Sequence, residues 1–253
     1  TSICAPDGTS ALARLADEAF DVVLLDLQLP DLEGDEVVRR ARATLPPDRR
    51  DTPMLIMTAW AREQGADWLG FIVKGESPRG CTPETAAGIL AALPDVTGVA
   101  VMVGPTPDEA LAIAQRARAA RVQLHRVSPR TWPDDFPLPC TFAMGVTPEG
   151  GIVGEEPASN HLLLLDTSAG RLAGGTGQVW PWEVARGIVA RRPVMLAGGL
   201  HADNVAEAVT MLHPFGVDAS SALESRPGFK DPDKVRRFIA AVRACDRDSQ
   251  ERA

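Results

Sequence analysis

Four cysteines in 253 residues, Cys4, Cys81, Cys140 and Cys245, stand too far apart for a C-x-x-C pair or a Cys/His cluster. A zinc site is therefore not expected, and a chain this long has no need of a disulfide framework. No stretch approaches the ~18 apolar residues of a spanning helix. No basic segment leading into an apolar one marks a signal peptide either. The expectation is a cytoplasmic protein with no membrane partner; because the chain begins at Thr1 rather than Met, a preceding segment is expected too. Positive charge is also short: 26 Lys+Arg face 34 Asp+Glu, a net charge of −8. Phosphate backbones need clustered cations, so a nucleic-acid partner is not expected. No G-x-G-x-x-G follows a strand-like run, which leaves no signal for a dinucleotide cofactor. Low-complexity tracts and clean internal repeats are missing as well.

What the chain does have is alternation. Short apolar runs at 1–5, 21–27, 53–59, 68–73, 98–103, 121–126, 140–145, 161–166, 193–198 and 216–220 read as strands. Most are continuously apolar, as in parallel strands buried on both faces. Helical patterns lie between them, at 8–19, 83–93, 107–120, 203–213 and 231–243. Thr82-Pro83 and Thr106-Pro107 each place a capping hydroxyl before a proline at the first helical position. Segments 44–52 and 146–160 read as loops. Strand–helix alternation implies parallel sheets of βαβ units, and about 250 residues suit one (β/α)₈ barrel. Ten runs, however, are two too many for eight strands.

Three places carry chemistry. Asp166 ends the run LLLLD at the start of a Gly-rich loop, where barrel enzymes keep catalytic side chains; equally, it could cap that loop by accepting backbone N–H bonds. Gly198 and Gly199 end one late run, and Ser220 and Ser221 end the next. Glycines admit an anion to backbone N–H groups and serines add donors, so these two ends read as a phosphate site or as two ordinary turns.

From about Gly65 to Ala244 the chain resembles the phosphoribosylanthranilate isomerase family. The resemblance is carried by GADWLGFIV and SPRG at 65–80, VQLH at 122–125, LLLLDT and GGTGQVWPW at 162–182, LAGGL at 196–200 and GVDASSALE with GFKD at 216–231. It implies an α/β fold of the (β/α)₈ TIM-barrel type and an Amadori rearrangement of a phosphosugar, with no cofactor and no metal. By the same resemblance Asp166 is the general acid and Arg79 holds the substrate carboxylate. Gly198, Gly199, Ser220 and Ser221 hold the phosphate. His125 is a substrate contact or a structural histidine. The chain departs from the family at Arg126 and Ala222, which replace glycines, and at Pro181, which replaces an acidic residue.

The family's general base is a cysteine in Lys-Ile-Cys-Gly on its first strand. Ser2-Ile3-Cys4-Ala5 matches two of those four positions, but Cys4 lies about 60 residues before Gly65. Residues 5–59 instead resemble a response-regulator receiver domain, through the Asp7-Gly8 stretch, FDVVLLDLQLPDLEGDEVVRRAR and TPMLIMTA. That resemblance implies a flavodoxin-like βα fragment with Asp26 as phospho-acceptor and Thr58 as its hydroxyl partner. The acidic pair that binds Mg²⁺ in receivers has no counterpart here, so little phosphorylation of Asp26 is expected. The expected division is a receiver-like fragment over 1–60, a barrel of seven isomerase strands over 61–245, and a tail over 246–253. Either 1–5 or 53–59 would fill the first barrel position. If neither restores a base, the alternative is a scaffold or a phosphosugar-binding barrel without turnover.

Overall fold

The structure is a computed structural model that describes residues 4–20, 23–25, 31–32, 34–46, 49, 54–56, 65–93, 95–169, 172–173, 180–226 and 228–251. At the N-terminal end, α1 (Gly8–Asp17) starts at Asp7, whose carboxylate accepts from Ser10 N–H at 2.7 Å. Asp31 adds a second carboxylate at the same positive helix end, accepting from Gly8 and Thr9 N–H at 2.7 and 2.9 Å. There follow β1 (Val23–Leu25), α2 (Gly34–Thr44) and β2 (Met54–Ile56). The two strands pair in parallel, Leu24 against Leu55. Leu15, Ala41 and Leu45 form a small core with Leu12, Phe20 and Val23.

Among the described residues β1 and β2 pair only with each other. Neither candidate for the first barrel strand is thus seen in that place. Residues 4–5 belong to no strand, β2 pairs with β1, and residues 1–3 and 57–64 lie outside the described residues. An apolar run marks a buried strand but carries no information on which strand it pairs with.

The rest builds a second, larger sheet. Its elements are β3 (Trp68–Lys74), α3 (Pro83–Ala92), β4 (Thr97–Val103), α4 (Pro107–Ala117), β5 (Arg121–His125), β6 (Cys140–Val146) and β7 (Ile152–Val153). Then come β8 (Leu162–Ala169), β9 (Leu172–Ala173), α5 (Arg186–Val189), β10 (Val194–Leu196), α6 (Val205–Leu212) and β11 (Gly216–Val217). A hairpin of β12 (Glu224–Arg226) and β13 (Phe229–Lys230) leads into α7 (Pro232–Glu251). Seven parallel strands run in the order β3-β4-β5-β6-β8-β10-β11, as the sequence led us to expect; β7 and β9 add antiparallel edges to β6 and β8. The segment 146–160, read as loop, therefore contains β7. In turn α7 continues through 246–251, where a tail was expected. No helix of the described residues is long and apolar enough to cross a membrane.

Local chemistry explains the helix starts. Thr82 accepts from Thr85 N–H at 3.1 Å, and Thr106 forms a capping box with Glu109 at 3.3 and 3.0 Å, each with proline in the first turn. Outward-facing residues of the strands join the helices in two large cores, one around Phe142, Ile89 and Met102, the other around Trp180, Leu163 and Leu196. Inward-facing Leu162, Leu164, Met195 and Ala197 meet Trp68 of β3 and Ala143 of β6. Because β3 is one edge of the sheet and β10 lies next to the other, that contact requires a rolled sheet. At its lower end Trp68 also stacks near Phe215, ring centres 6.0 Å apart, with the Arg121 guanidinium 4.3 Å over the indole. Arg243 of α7 ties the entry to β3 by donating to Gly65 O at 2.7 Å and to the Asp67 carboxylate at 2.9 Å.

Candidate active site

The strand ends opposite Trp68 carry the polar residues. Leu162 and Leu164 point inward, and a period of two puts Asp166 on the same inner face one step higher. The ladder aligns Leu165 with Leu196 and Leu196 with Val217. It runs one residue further through Ala197 N–H to Leu165 O at 2.7 Å and Asp218 N–H to Leu196 O at 2.8 Å. Asp166, Ala197 and Asp218 thus form one row. On β5 the outward residues are Val122 and Leu124, which leaves Gln123 and His125 facing in.

Asp166 accepts from Thr167 N–H at 2.7 Å. Burial raises its pKa from 3.8 to about 6, the nearby Asp218 carboxylate adds to the rise, and the Thr167 bond offsets part of it. Asp218 is raised too, chiefly by burial, against the opposing effects of Lys230 and a hydrogen bond from Gln123. Burial and then the Arg126 charge lower His125 to about 4, so it is neutral near pH 7. Its Nε2 lies 3.2 Å from Gln123 Nε2. An amide nitrogen only donates, so this His125 nitrogen accepts and the ring proton sits on Nδ1.

The turn after β10 is built for close approach. Gly198 and Gly199 have φ of +84° and +68°. Asn204 clamps the turn, donating to Gly199 O at 3.0 Å and accepting from His201 N–H at 2.8 Å. Buried Trp180 donates to Ala197 O at 3.0 Å from the other side. Next to it, Lys230 Nζ donates to Ser220 O at 2.9 Å and lies 3.2 Å from Ser220 Oγ. The same ammonium reaches Glu224 at 3.3 Å. Glu224, with only 4% of its side chain exposed, takes two bonds from Arg79 at 2.7 and 2.9 Å. Those bonds use Arg79 Nε and one N–H of Nη2, which, among the described residues, leaves the Nη1–Nη2 edge open to a planar carboxylate.

The structure therefore gathers Asp166, His125, Arg79, Gly198, Gly199, Ser220 and Ser221 at one end of the barrel. Cys4 is not among them: it is exposed ahead of α1, with its Sγ 3.9 Å from the neighbouring Ala5 carbonyl. Asp26, Thr58 and the GGTG part of the Gly-rich loop lie outside the described residues. Sequence reasoning did not single out Gln123, Asp218, Glu224 and Lys230, though all four lie inside the quoted motifs. Inward parity with His125 and Asp166 was the available signal for the first two.

The departures from the family differ in consequence. Ala222 sits in a short 3₁₀ turn, Ser221–Leu223, and is not at positive φ. Arg126 does occupy the left-handed region, at φ +55°. A residue with a Cβ costs roughly 1 kcal/mol more there than glycine. Arg126→Gly is expected to gain about 0.5–1 kcal/mol in urea unfolding; equal or lower stability would contradict this.

A buried carboxyl of raised pKa at a strand end, flanked by Gly- and Ser-bearing ends, is the arrangement of a (β/α)-barrel enzyme site. Residues 56–241 match the family model for N-(5′-phosphoribosyl)anthranilate (PRA) isomerase. The chain belongs to that family. It is 40% identical over 183 residues to N-(5′-phosphoribosyl)anthranilate isomerase of Geobacter sulfurreducens, covering 71% of this chain and 89% of that protein. The crystal structure of the isomerase from Thermotoga maritima superposes with a TM-score of 0.62 at 29% identity, over 74% of this chain and 92% of that one. The Thermus thermophilus structure gives 0.62 at 31%, over 73% and 91%.

Proposed function

We propose that the chain converts N-(5′-phosphoribosyl)anthranilate to its 1-deoxyribulose phosphate by an Amadori rearrangement, a step of tryptophan biosynthesis in the cytoplasm. The observation that carries the reading is Asp166, a barrel strand-end carboxyl whose pKa of about 6 leaves it partly protonated near neutrality. Asp166 protonates the furanose oxygen and opens the ring to a Schiff base. A base then removes the C2′ proton, and the enolamine tautomerises to the ketone. Arg79 holds the anthranilate carboxylate through its open edge, while Gly198, Gly199, Ser220 and Ser221 take the phosphate. A related isomerase has been solved with a reduced 1-(o-carboxyphenylamino)-1-deoxyribulose 5-phosphate, a ligand carrying both of those anionic ends. For residues 5–59 we retain the receiver-like reading, which the parallel β1–β2 pair joined through α2 supports.

One observation favours a second reading, a barrel that binds phosphosugars without turnover. The implied base, Cys4, is exposed and belongs to no strand of the barrel sheet. Anthranilate fluorescence separates the two. Freshly generated substrate should be consumed by the purified chain, and Cys4→Ser should abolish consumption if its thiolate is the base. Turnover that survives Cys4→Ser moves the base elsewhere. Binding without any consumption establishes the second reading.

A further inference from the structure

The row that carries Asp166 carries a second carboxylate the reaction scheme does not use. Asp218 stands level with Asp166 on the inner face of the rolled sheet, with only the small Ala197 between them in the row. The charge on Asp218 bears on the proton of Asp166 across the intervening strand, and it opposes ionisation of Asp166. Their surroundings are unequal. Asp218 faces the Gln123 amide from β5 and the Lys230 ammonium from β13, both of which favour a negative charge. Among the described residues, Asp166 has one backbone N–H, from Thr167, as its own stabilising donor. Beyond these, His125 is neutral and reaches the pair through Gln123, and Arg79 and Glu224 stand behind Lys230. The other flanking strands, β6 and β10, present Gly145 and Ala197, which are uncharged.

Building on the acid role proposed above for Asp166, we infer that Asp218 is a positioning residue for the proton. Gln123 and Lys230 favour charge on Asp218 against its burial, and that charge makes Asp166 the member of the pair that keeps the proton and meets the substrate as an acid. Gln123 is the pivot. Its single amide nitrogen faces His125 Nε2, fixing that ring's tautomer, and also donates to the Asp218 carboxylate.

The test reads Asp166 directly, without turnover. The whole chain is labelled with ¹³Cγ-aspartate, and the Asp166 carboxyl resonance is assigned by its loss in Asp166→Asn. In the wild type it should titrate with a midpoint near 6. In Asp218→Asn the midpoint should fall by about one pH unit, as expected on removing a neighbouring like charge. In Gln123→Leu the Asp166 curve should broaden into two steps, because the proton is then shared. The Gln123 variant also carries the test if Asp218→Asn does not fold. An unmoved single midpoint in a folded variant overturns the inference and leaves Asp218 a merely structural residue. If the chain shows no isomerase activity but the midpoint moves, the proposed reaction fails and the coupling stands. Where turnover is present, the alkaline limb of kcat should move with the resonance.

Discussion

Asp166→Asn is expected to lose 10²–10⁴-fold in kcat and, above pH 7, to unfold at higher denaturant than the wild type. The first effect is that of removing a general acid. The second follows from the raised pKa. The folded protein holds the Asp166 proton up to about pH 6, whereas an unfolded chain releases it near 3.8. Below about pH 3 both states are protonated and the group is neutral to stability. As pH rises between the two values, the unfolded chain ionises while the buried carboxyl resists, so stability falls. A difference of about two pH units corresponds to roughly 3 kcal/mol as an upper bound; partial access to water brings the expectation to about 1–3 kcal/mol. Asparagine keeps the oxygen that accepts from Thr167 N–H and never ionises. The variant should therefore match the wild type near pH 3 and exceed it at pH 8 in urea titrations. A stability difference independent of pH, or higher activity, would show that Asp166 is an ordinary loop-capping carboxylate.

Strain at a functional centre of this kind is legible only in part from sequence. The strand run LLLLD announces its own buried end, and Thr-Pro pairs announce α3 and α4, because caps and apolar runs are local signals. Gly198 and Gly199 could be read the same way. Glu224 could not: its partner Arg79 lies 145 residues away, and only the rolling of the sheet brings the two ends together. Asp218 hid for a related reason. The expected strand 216–220 pairs through Gly216 and Val217, with one last ladder bond from Asp218 N–H, and the chain beyond it turns into the 3₁₀ turn Ser221–Leu223. The first barrel position is the opposite case. Two apolar segments fitted it equally well, and β2 turned to β1 because parallel pairing is settled by tertiary contacts rather than by hydrophobicity.

Gly198→Ala tests how tightly that site is built. At φ +84° any Cβ is strained, at a cost of roughly 1 kcal/mol. The added methyl would also strike Thr167 Oγ1, lie 2.6 Å from Thr167 N and sit 3.1 Å from Asp166 Oδ1. Thr167 is buried and its N–H orients the acid, so the strand end cannot yield without moving Asp166. Overpacking of this kind adds about 1–3 kcal/mol, for an expected total of about 2–4 kcal/mol. Misplacing a catalytic group by about 1 Å costs on the order of 10²-fold in rate. Gly104→Ala separates strain from collision. Gly104 is also left-handed, at φ +57°, but a Cβ there meets nothing within 4 Å. It should lose about 1 kcal/mol and keep turnover within about twofold. If Gly198→Ala matches Gly104→Ala in both urea unfolding and kcat, the contact with Thr167 and Asp166 has no part in setting the acid.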